Sequence, residues 1–192
     1  MILSPGAFVR VGLILLLGLV LQLSALGQIR LLGGHTDLIP LVVAAVAYYA
    51  GSISGSAAGF TMGFLLDLAA GQTMGASSLV LTAVGYGVGR YRELRDPAHG
   101  LLPIAVGAAA TAGWVTAFAA VSFMLDVGAT VSPLVIREML VTVLLGAVLA
   151  YPVFAGVRRV LRPSLAVDPL DARRRRKPPR EAGPLGLRGL EV

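Results

Sequence analysis

Cysteine is absent from this chain of 192 residues, and charged side chains are scarce. Without a thiol, the chain has no disulfide, no thiolate nucleophile and no cysteine metal site. Only 14% of the residues are charged, whereas 56% are hydrophobic and the mean hydropathy is +0.83. A soluble domain of this length carries considerably more charge. The composition therefore predicts a chain that lies largely in or beside a lipid bilayer, with little left for a soluble catalytic domain.

Apolar segments follow one another along most of the sequence, separated by short turns. A helix needs about 20 apolar residues to cross the hydrocarbon layer of a bilayer. We interpret the segments as six helices, residues 8–26, 38–50, 57–70, 76–89, 101–125 and 134–161. The predicted fold class is an all-α integral membrane protein, a compact bundle of about six transmembrane helices. The third and fourth segments are short, so we expect their helices to cross a thinned bilayer, to extend beyond their apolar cores or to pack inside the bundle.

A five-span alternative joins residues 38–70 into one helix of about 50 Å. Such a helix is much longer than the hydrocarbon layer, and its middle has the composition of a tight hairpin: Gly51, Ser52, Ser54, Gly55 and Ser56. Basic residues in short loops face the cytoplasm. In the six-span prediction only Arg30 and Arg137 lie outside, and the alternative exchanges only Arg10 for Arg30. Charge therefore predicts a cytoplasmic C-terminus in both cases, and segment length favours six spans.

The composition changes after the last apolar segment, so we divide the chain into a transmembrane domain (1–162) and a tail (163–192). Residues 158–192 hold ten of the sixteen basic and four of the ten acidic side chains, which places the whole net charge of +6 there. The proline-rich tail has few apolar residues and is predicted to be disordered and cytoplasmic. A basic cluster beside a membrane attracts anionic lipids, and no pattern typical of nucleic-acid binding accompanies it. Its densest part is Arg173, Arg174, Arg175, Arg176 and Lys177.

Glycine recurs at every fourth position from Gly51 through the third predicted span, and Asp67 continues the same register. Residues four apart lie on one face of a helix, and glycine on such a face lets another backbone approach closely within lipid. We therefore predict a face for packing against another helix of the bundle or against a partner. It consists of Gly55, Gly59, Gly63, Asp67, Gly71 and Gly75.

Asp67 is an ionisable residue within an apolar helix, where exposure to lipid is costly, so we expect it to point inward. Two interpretations remain open: a role in assembly or helix pairing, and a simple role in which the carboxylate reaches interfacial water or caps the turn at 70–75. A proton or ion relay is disfavoured because no second buried acid or histidine aligns with it. His35 and His99 fall in loops on opposite sides of the membrane, so the sequence predicts no metal site and no cofactor.

The segment from Asp37 to Gly75 resembles the central signature of MreD, the family of rod-shape-determining membrane proteins. The matching positions are Asp37, Leu38, Ile39, Pro40, Gly59, Phe60, Gly63, Phe64, Asp67, Leu68, Gly71 and Gly75. Two features depart from the family pattern: residues 51–56 lack the basic residues that members often carry there, and the basic tail is long.

The resemblance implies a non-enzymatic scaffold of the cell-elongation machinery in the bacterial inner membrane, involved in cell-shape maintenance and regulation of peptidoglycan synthesis. MreD proteins act with the bitopic protein MreC and, through it, with MreB filaments, RodA and a class B penicillin-binding protein. The family fold is similar to the substrate-binding subunit of energy-coupling-factor transporters, so the alternative function is a subunit of a vitamin-type transporter. Against this alternative, the outer half offers few polar residues to hold a ligand. A homodimer is left open.

Overall fold

The computed structural model describes residues 5–26, 30–31, 34–71, 74–94, 102–124 and 133–165. These residues form six α-helices: α1 (Pro5–Leu21), α2 (Leu38–Ala50), α3 (Ser52–Ala70), α4 (Ala76–Leu94), α5 (Leu102–Met124) and α6 (Pro133–Leu165). A π-helical turn, Gln22–Leu26, follows α1, and two short strands, β1 (Arg30–Leu31) and β2 (Gly34–His35), pair antiparallel before α2. The predicted helical bundle is confirmed, with this small β-ladder as an addition that the apolar pattern did not indicate.

The break between α2 and α3 is made by one residue, Gly51. Its φ angle of +92° lies in a region that residues with a β-carbon rarely adopt, and its N–H donates to the Ala47 carbonyl at 2.9 Å. The chain then folds back, so that Gly55 packs directly against Ala47. The five-span alternative is therefore wrong, because residues 38–70 form a helical hairpin and not one long helix.

The two short predicted spans are parts of longer helices. Both α3 and α4 contain 19 residues and are about 28 Å long. Helix α3 starts before the predicted segment, and α4 continues after it through residues 90–94, which include Arg90 and Glu93. Extension beyond the apolar core is thus the reason that these segments were short in the sequence.

Three helices are long and apolar enough to cross a membrane, over Ser52–Ala70, Leu102–Val121 and Val135–Arg162. Two shorter apolar helical segments accompany them, Val9–Ser24 and Leu38–Ala50. Many large apolar side chains on the outer faces are exposed, among them Leu13, Leu144 and Val148. Such a surface suits lipid and indicates membrane association. The count of six crossings stays a prediction.

Helix α2 is the centre of the bundle. It contacts every one of the other five helices, and twelve of its thirteen residues are buried. Branched and small side chains such as Val43, Ala44 and Val46 fill its surface on all sides. A helix that is apolar all round is surrounded by protein or lipid. The length of α2, about 20 Å, is consistent with a central position because its neighbours cover it along its whole surface.

Consecutive helices run antiparallel, which gives the bundle two distinct ends. The end formed by the starts of α1, α3 and α5 and by the final turns of α2, α4 and α6 is here named the arginine end. The opposite end carries β1 and β2 and is named the hairpin end. Six of the eight arginines in the described residues belong to the arginine end: Arg10, Arg90, Arg92, Arg158, Arg159 and Arg162.

The predicted domain boundary between residues 162 and 163 lies inside the last turn of α6, which ends at Leu165. The remainder of the predicted tail lies outside the described residues. So does the predicted lipid-binding cluster, Arg173, Arg174, Arg175, Arg176 and Lys177.

Candidate functional site

The glycine face of α3 lies against the backbone of α4. A β-carbon on Gly59 would overlap the carbonyl of Leu81, and a β-carbon on Gly63 would overlap the backbone of Ser78. One on Gly55 would stand 2.7 Å from the carbonyl oxygen of Gly85, a distance that real β-carbons essentially never reach. The structure therefore brings three of the predicted packing residues into one internal contact between α3 and α4, the most extensive helix pair of the bundle.

Two glycines of α4 complete this contact and were not among the predicted site residues. Gly85 faces the carbonyl of Gly55, and Gly89 faces the backbone of Ser52. They are also four residues apart, so the same spacing that identified the face of α3 was present in α4. Matching glycine faces let two helices approach along their full length.

Gly71 and Gly75 do not take part in this packing, contrary to the prediction from spacing. Both have positive φ angles, +62° and +98°, and nothing lies within 4 Å of the position of a β-carbon on either residue. Gly71 is the left-handed cap that ends α3. The spacing of four residues continues in the sequence past Ala70, but α3 ends there. These two glycines therefore shape the turn and the start of α4.

Asp67 is 1% exposed and points at the start of α4. One of its carboxylate oxygens accepts a hydrogen bond from the N–H of Gly75 at 2.8 Å, and the other accepts one from the N–H of Ser77 at 3.3 Å. The first N–H groups of a helix have no partner within the helix and carry its positive dipole end, where a carboxylate is stabilising. Asp67 therefore caps α4 from α3 and fixes the turn between them, which combines the two interpretations left open above.

Asp37 forms a second polar cluster at the hairpin end. Its Oδ1 accepts a hydrogen bond from Gln22 Nε2 at 3.2 Å, and its Oδ2 accepts one from Trp114 Nε1 at 3.2 Å. Gln22 Oε1 in turn accepts the N–H of Leu38, the first residue of α2, at 2.8 Å. One carboxylate at the start of α2 thus connects the π-helical turn after α1 to α5. Pro40 is buried in the first turn of α2, where a missing N–H has no cost because that group would have no helical partner.

A cavity of about 240 Å³ adjoins this cluster, with Asp37, Trp114, Glu138 and Thr142 among its lining side chains. These are more polar groups in one place than the sequence suggested for this half of the molecule. Both Asp37 oxygens already accept protein donors, however, which reduces their capacity to hold a ligand.

At the arginine end, Glu93 ties the last turn of α4 to the first turn of α3. Its Oε1 accepts hydrogen bonds from the N–H of Ser52 at 2.9 Å and from the hydroxyl of Ser52 at 2.7 Å. Its Oε2 lies 3.4 Å from Arg90. The Ser52 N–H, then the Ser52 hydroxyl and Arg90, hold the pKa of Glu93 below its ordinary value despite an opposing effect of desolvation. The carboxylate is therefore the form that this contact stabilises.

A groove of about 650 Å³ runs between α4 and α5 on the outside of the bundle. It extends from Tyr91 and Leu102 to Val80 and Ala117, which is about 22 Å along α5. Small residues form much of its floor, namely Ala83, Gly87, Ala105, Ala109, Ala110 and Gly113. Apart from Tyr91, the residues that line the groove are apolar, so it offers a surface for close approach and not a polar binding site.

The described residues contain no group of three or more His, Asp or Glu side chains that could hold a metal ion. Asp37 and Asp67 instead accept hydrogen bonds from backbone and side-chain donors of the protein itself. No known protein-family model, curated protein or solved structure matches this chain.

Proposed function

We propose that this chain is a non-enzymatic membrane scaffold of the MreD type, which supports cell elongation by binding the single membrane-spanning helix of an MreC-like bitopic protein. The observation that carries the proposal is the groove between α4 and α5. Its length of about 22 Å corresponds to four turns of a helix, and its walls are almost wholly apolar. A membrane-spanning helix is apolar and about 30 Å long, so about three quarters of its length would lie in the groove.

The distribution of the motif residues supports a scaffold. Asp37, at the start of α2, binds the π-helical turn after α1 and binds α5, and Asp67 caps α4, so both acids hold parts of the bundle together. The glycine face is buried within the α3–α4 contact and is not open to a partner. Gly87 and Gly113, by contrast, lie in the open groove, where small residues allow a second backbone to approach in lipid.

The proposed orientation follows from the arginine end. Basic residues in short loops favour the cytoplasmic side, and six of the eight arginines in the described residues lie at this end, against Arg30 and Arg137 at the other. Both termini then face the cytoplasm of a cell with a bacterial inner membrane. Through the MreC-like partner, the scaffold is connected to MreB-like filaments, RodA and a class B penicillin-binding protein, and it helps to regulate peptidoglycan synthesis.

The test is co-purification of an MreC-like protein from a cell in which both chains are expressed. Gly87→Leu adds a side chain to the groove at a position with nothing within 4 Å of the new β-carbon, so the bundle itself should fold. We expect this variant to lose the partner and to fail in maintaining rod shape. Gly156→Leu is the matched control, because Gly156 is equally open but lies on α6, outside the groove.

Normal partner binding by Gly87→Leu, with normal morphology, would contradict the proposal. Cysteines can be placed at positions 87 and 113 for a cross-linking experiment. If they link two copies of this chain in the absence of a partner, the groove is the interface of a homodimer instead.

The alternative function, a subunit of a small-molecule transporter, rests on the cavity beside Asp37 and Trp114. Its volume of about 240 Å³ is below the range of about 300–1,000 Å³ that is usual for ligand pockets. Under this alternative, a water-soluble vitamin would bind the purified chain saturably and quench Trp114 fluorescence, and the chain would associate with an ATPase module. We expect neither effect.

A further inference from the structure

A cavity of about 680 Å³ opens at the arginine end, between the last turn of α2, the start of α5 and the last turns of α6. Its lining includes three aromatic and three cationic side chains: Tyr49, Tyr151, Phe154, Arg158, Arg159 and Arg162. It is separate from the α4–α5 groove and shares no lining residue with it. Its chemistry is also different, because three guanidinium groups surround it.

No carboxylate among the residues that the structure describes neutralises the positive charge of this cavity. Within the part of the chain that the structure describes, Arg158, Arg159 and Arg162 form no ion pair with a carboxylate. The neighbouring arginines of α4 do have partners: Arg90 lies 3.4 Å from Glu93, and the guanidinium of Arg92 lies 5.7 Å from the centre of the Tyr48 ring. The cavity arginines therefore present their N–H donors to whatever occupies the space.

Two further features favour a phosphate group as the occupant. Guanidinium groups bind phosphate oxygens with paired, charge-assisted hydrogen bonds, and the hydroxyls of Tyr49 and Tyr151 can donate as well. Pro103 places the first turn of α5 at the cavity wall, and this turn is the positive end of the α5 dipole. An anion with several oxygens matches this arrangement better than a single carboxylate does.

The surface of α6 indicates that the phosphate belongs to a lipid. Leu140, Leu144 and Val148 are 61%, 67% and 74% exposed and follow one another at intervals of four residues. Tyr151, Arg158 and Arg162 continue this face, within about a quarter of the helix circumference. An exposed apolar stripe therefore leads directly into the arginine cavity, as acyl chains lead to a headgroup.

The depth of the cavity agrees with this assignment. The stretch of α6 between Glu138 and Arg158 contains 19 residues and no charge, and it is about 28 Å long. This length is close to the thickness of the hydrocarbon layer, about 30 Å. With Glu138 at one interface, Arg158 and the two arginines that follow it lie at the level of the lipid headgroups on the other side.

We propose that this cavity is a binding site for the phosphate headgroup of an anionic phospholipid, whose acyl chains lie along the exposed apolar face of α6. The site is distinct from the tail cluster at 173–177, which can attract a charged surface but belongs to no described cavity. It requires that α6 crosses the membrane and is independent of any partner, so it can fail or succeed separately from the scaffold function.

The test measures lipid binding to the purified full-length chain in neutral detergent by native mass spectrometry. The probes are phosphatidylglycerol, phosphatidylcholine with the same acyl chains, and soluble glycerol phosphate. We expect phosphatidylglycerol to bind at least about 25-fold more tightly than phosphatidylcholine, because two of the three cavity arginines alone account for about that factor. Each removed charge near the surface weakens anionic lipid binding roughly fivefold, so Arg159→Gln with Arg162→Gln should weaken phosphatidylglycerol binding about 25-fold and leave phosphatidylcholine binding unchanged.

Both substituted side chains are exposed, so the helical circular dichroism of the variant should equal that of the original chain. The single variants, each with an expected loss of about fivefold, provide the same test if the double variant does not fold. Arg137→Gln is the matched control, because it removes a charge from the opposite end of the same helix and should leave binding intact.

Three results would overturn the proposal. Equal affinity for phosphatidylglycerol and phosphatidylcholine would show that the cavity arginines do not bind an anionic headgroup and are only hydrated. Binding of glycerol phosphate as tight as that of phosphatidylglycerol would assign the cavity to a soluble phosphate compound. A third result concerns the basic residues at 173–177. If their replacement by glutamine abolishes phosphatidylglycerol binding while the cavity variants bind normally, the lipid binds to the tail and not to the cavity.

Discussion

The backbone of Gly59 lies directly against the carbonyl of Leu81, so that a β-carbon at position 59 would overlap the Leu81 oxygen. Helices α3 and α4 therefore meet through their backbones and not through interdigitated side chains. Lipid provides no hydrophobic driving force for helix association, so close packing and weak Cα–H contacts at such a surface supply much of the attraction. The stability of the α3–α4 hairpin thus depends on the absence of side chains at a few positions.

Replacing Gly59 by alanine should destabilise the protein even though alanine is the better helix former. The added methyl group must push α4 away from α3, and overpacking of this kind costs about 1–3 kcal/mol, against a gain of about 1 kcal/mol in helix propensity. We expect a lower midpoint in a thermal or dodecyl sulfate unfolding titration of the purified chain.

Gly87→Ala is the control for this prediction. Gly87 lies on α4 but faces open space, so the added methyl group meets no other atoms and changes only the helix propensity. The unfolding midpoint should therefore stay the same or rise. Equal stability of Gly59→Ala and the unsubstituted chain would show that the two backbones are not in contact.

Asp67 should contribute to stability through its two backbone hydrogen bonds. Asp67→Asn keeps one acceptor oxygen but turns an NH₂ group toward the start of α4, and Asp67→Ala leaves both the Gly75 and Ser77 N–H groups without this acceptor. A buried donor that loses its partner costs about 1–3 kcal/mol. We therefore expect the unfolding midpoint to fall in the order unsubstituted chain, Asp67→Asn, Asp67→Ala. Unchanged stability of Asp67→Ala would indicate that water replaces the carboxylate in the turn.

Spacing in the sequence identified the face of α3 but not its neighbour. Glycine at intervals of four residues shows which face of a helix lacks side chains, and on this face Gly59 and Gly63 do contact another helix, α4. The pattern carries no information on which helix lies opposite, so Gly85 and Gly89 were missed although they have the same spacing. Glycine also ends helices, and this second role explains why Gly71 and Gly75 shared the register but not the packing.

The helix boundaries could be predicted where composition changes sharply. Helix α2 was predicted at Leu38–Ala50, as observed, because Asp37 and Gly51 flank an uninterrupted apolar run. The bond between Asp37 and Trp114 joins residues 77 positions apart. Such a contact depends on the way α5 packs against α2, which local patterns do not specify. The cavity with Arg158 has the same origin, since Tyr49 reaches it from α2.

The Glu93 contact predicts a dependence of stability on pH. Its pKa in the folded protein is held below the ordinary value of 4.5, first by the N–H of Ser52 and then by the Ser52 hydroxyl. A depressed pKa means that the carboxylate contributes its full stabilisation above about pH 4.5 and loses it as the pH falls through the folded-state pKa. We expect the unfolding midpoint of the unsubstituted chain to decrease more between pH 6 and about pH 3 than that of Glu93→Gln.

Ser52→Ala is an informative companion to the glutamine variant. It removes the hydroxyl donor but keeps the N–H donor, so its pH dependence should lie between those of the other two proteins. The same slope in all three would show that Glu93 does not contact α3 at the arginine end.

The hydrogen bond from Trp114 to Asp37 should couple α5 to α2 energetically. Trp114→Phe removes the indole N–H and retains an aromatic ring against Phe118. Asp37→Asn replaces the carboxylate that accepts the hydrogen bond of this N–H by a neutral amide. A hydrogen bond to a charged group contributes about 1.5–3 kcal/mol. If the two residues interact directly, the double variant should lose less stability than the sum of the single variants, with a coupling of about 0.5–3 kcal/mol in a double-mutant cycle.

Thr116→Val is the control for this cycle. Thr116 is an exposed position on the same helix, so its replacement should show no coupling to Asp37→Asn. Strict additivity for Trp114 and Asp37 would mean that α5 is held to the centre of the bundle by apolar packing alone.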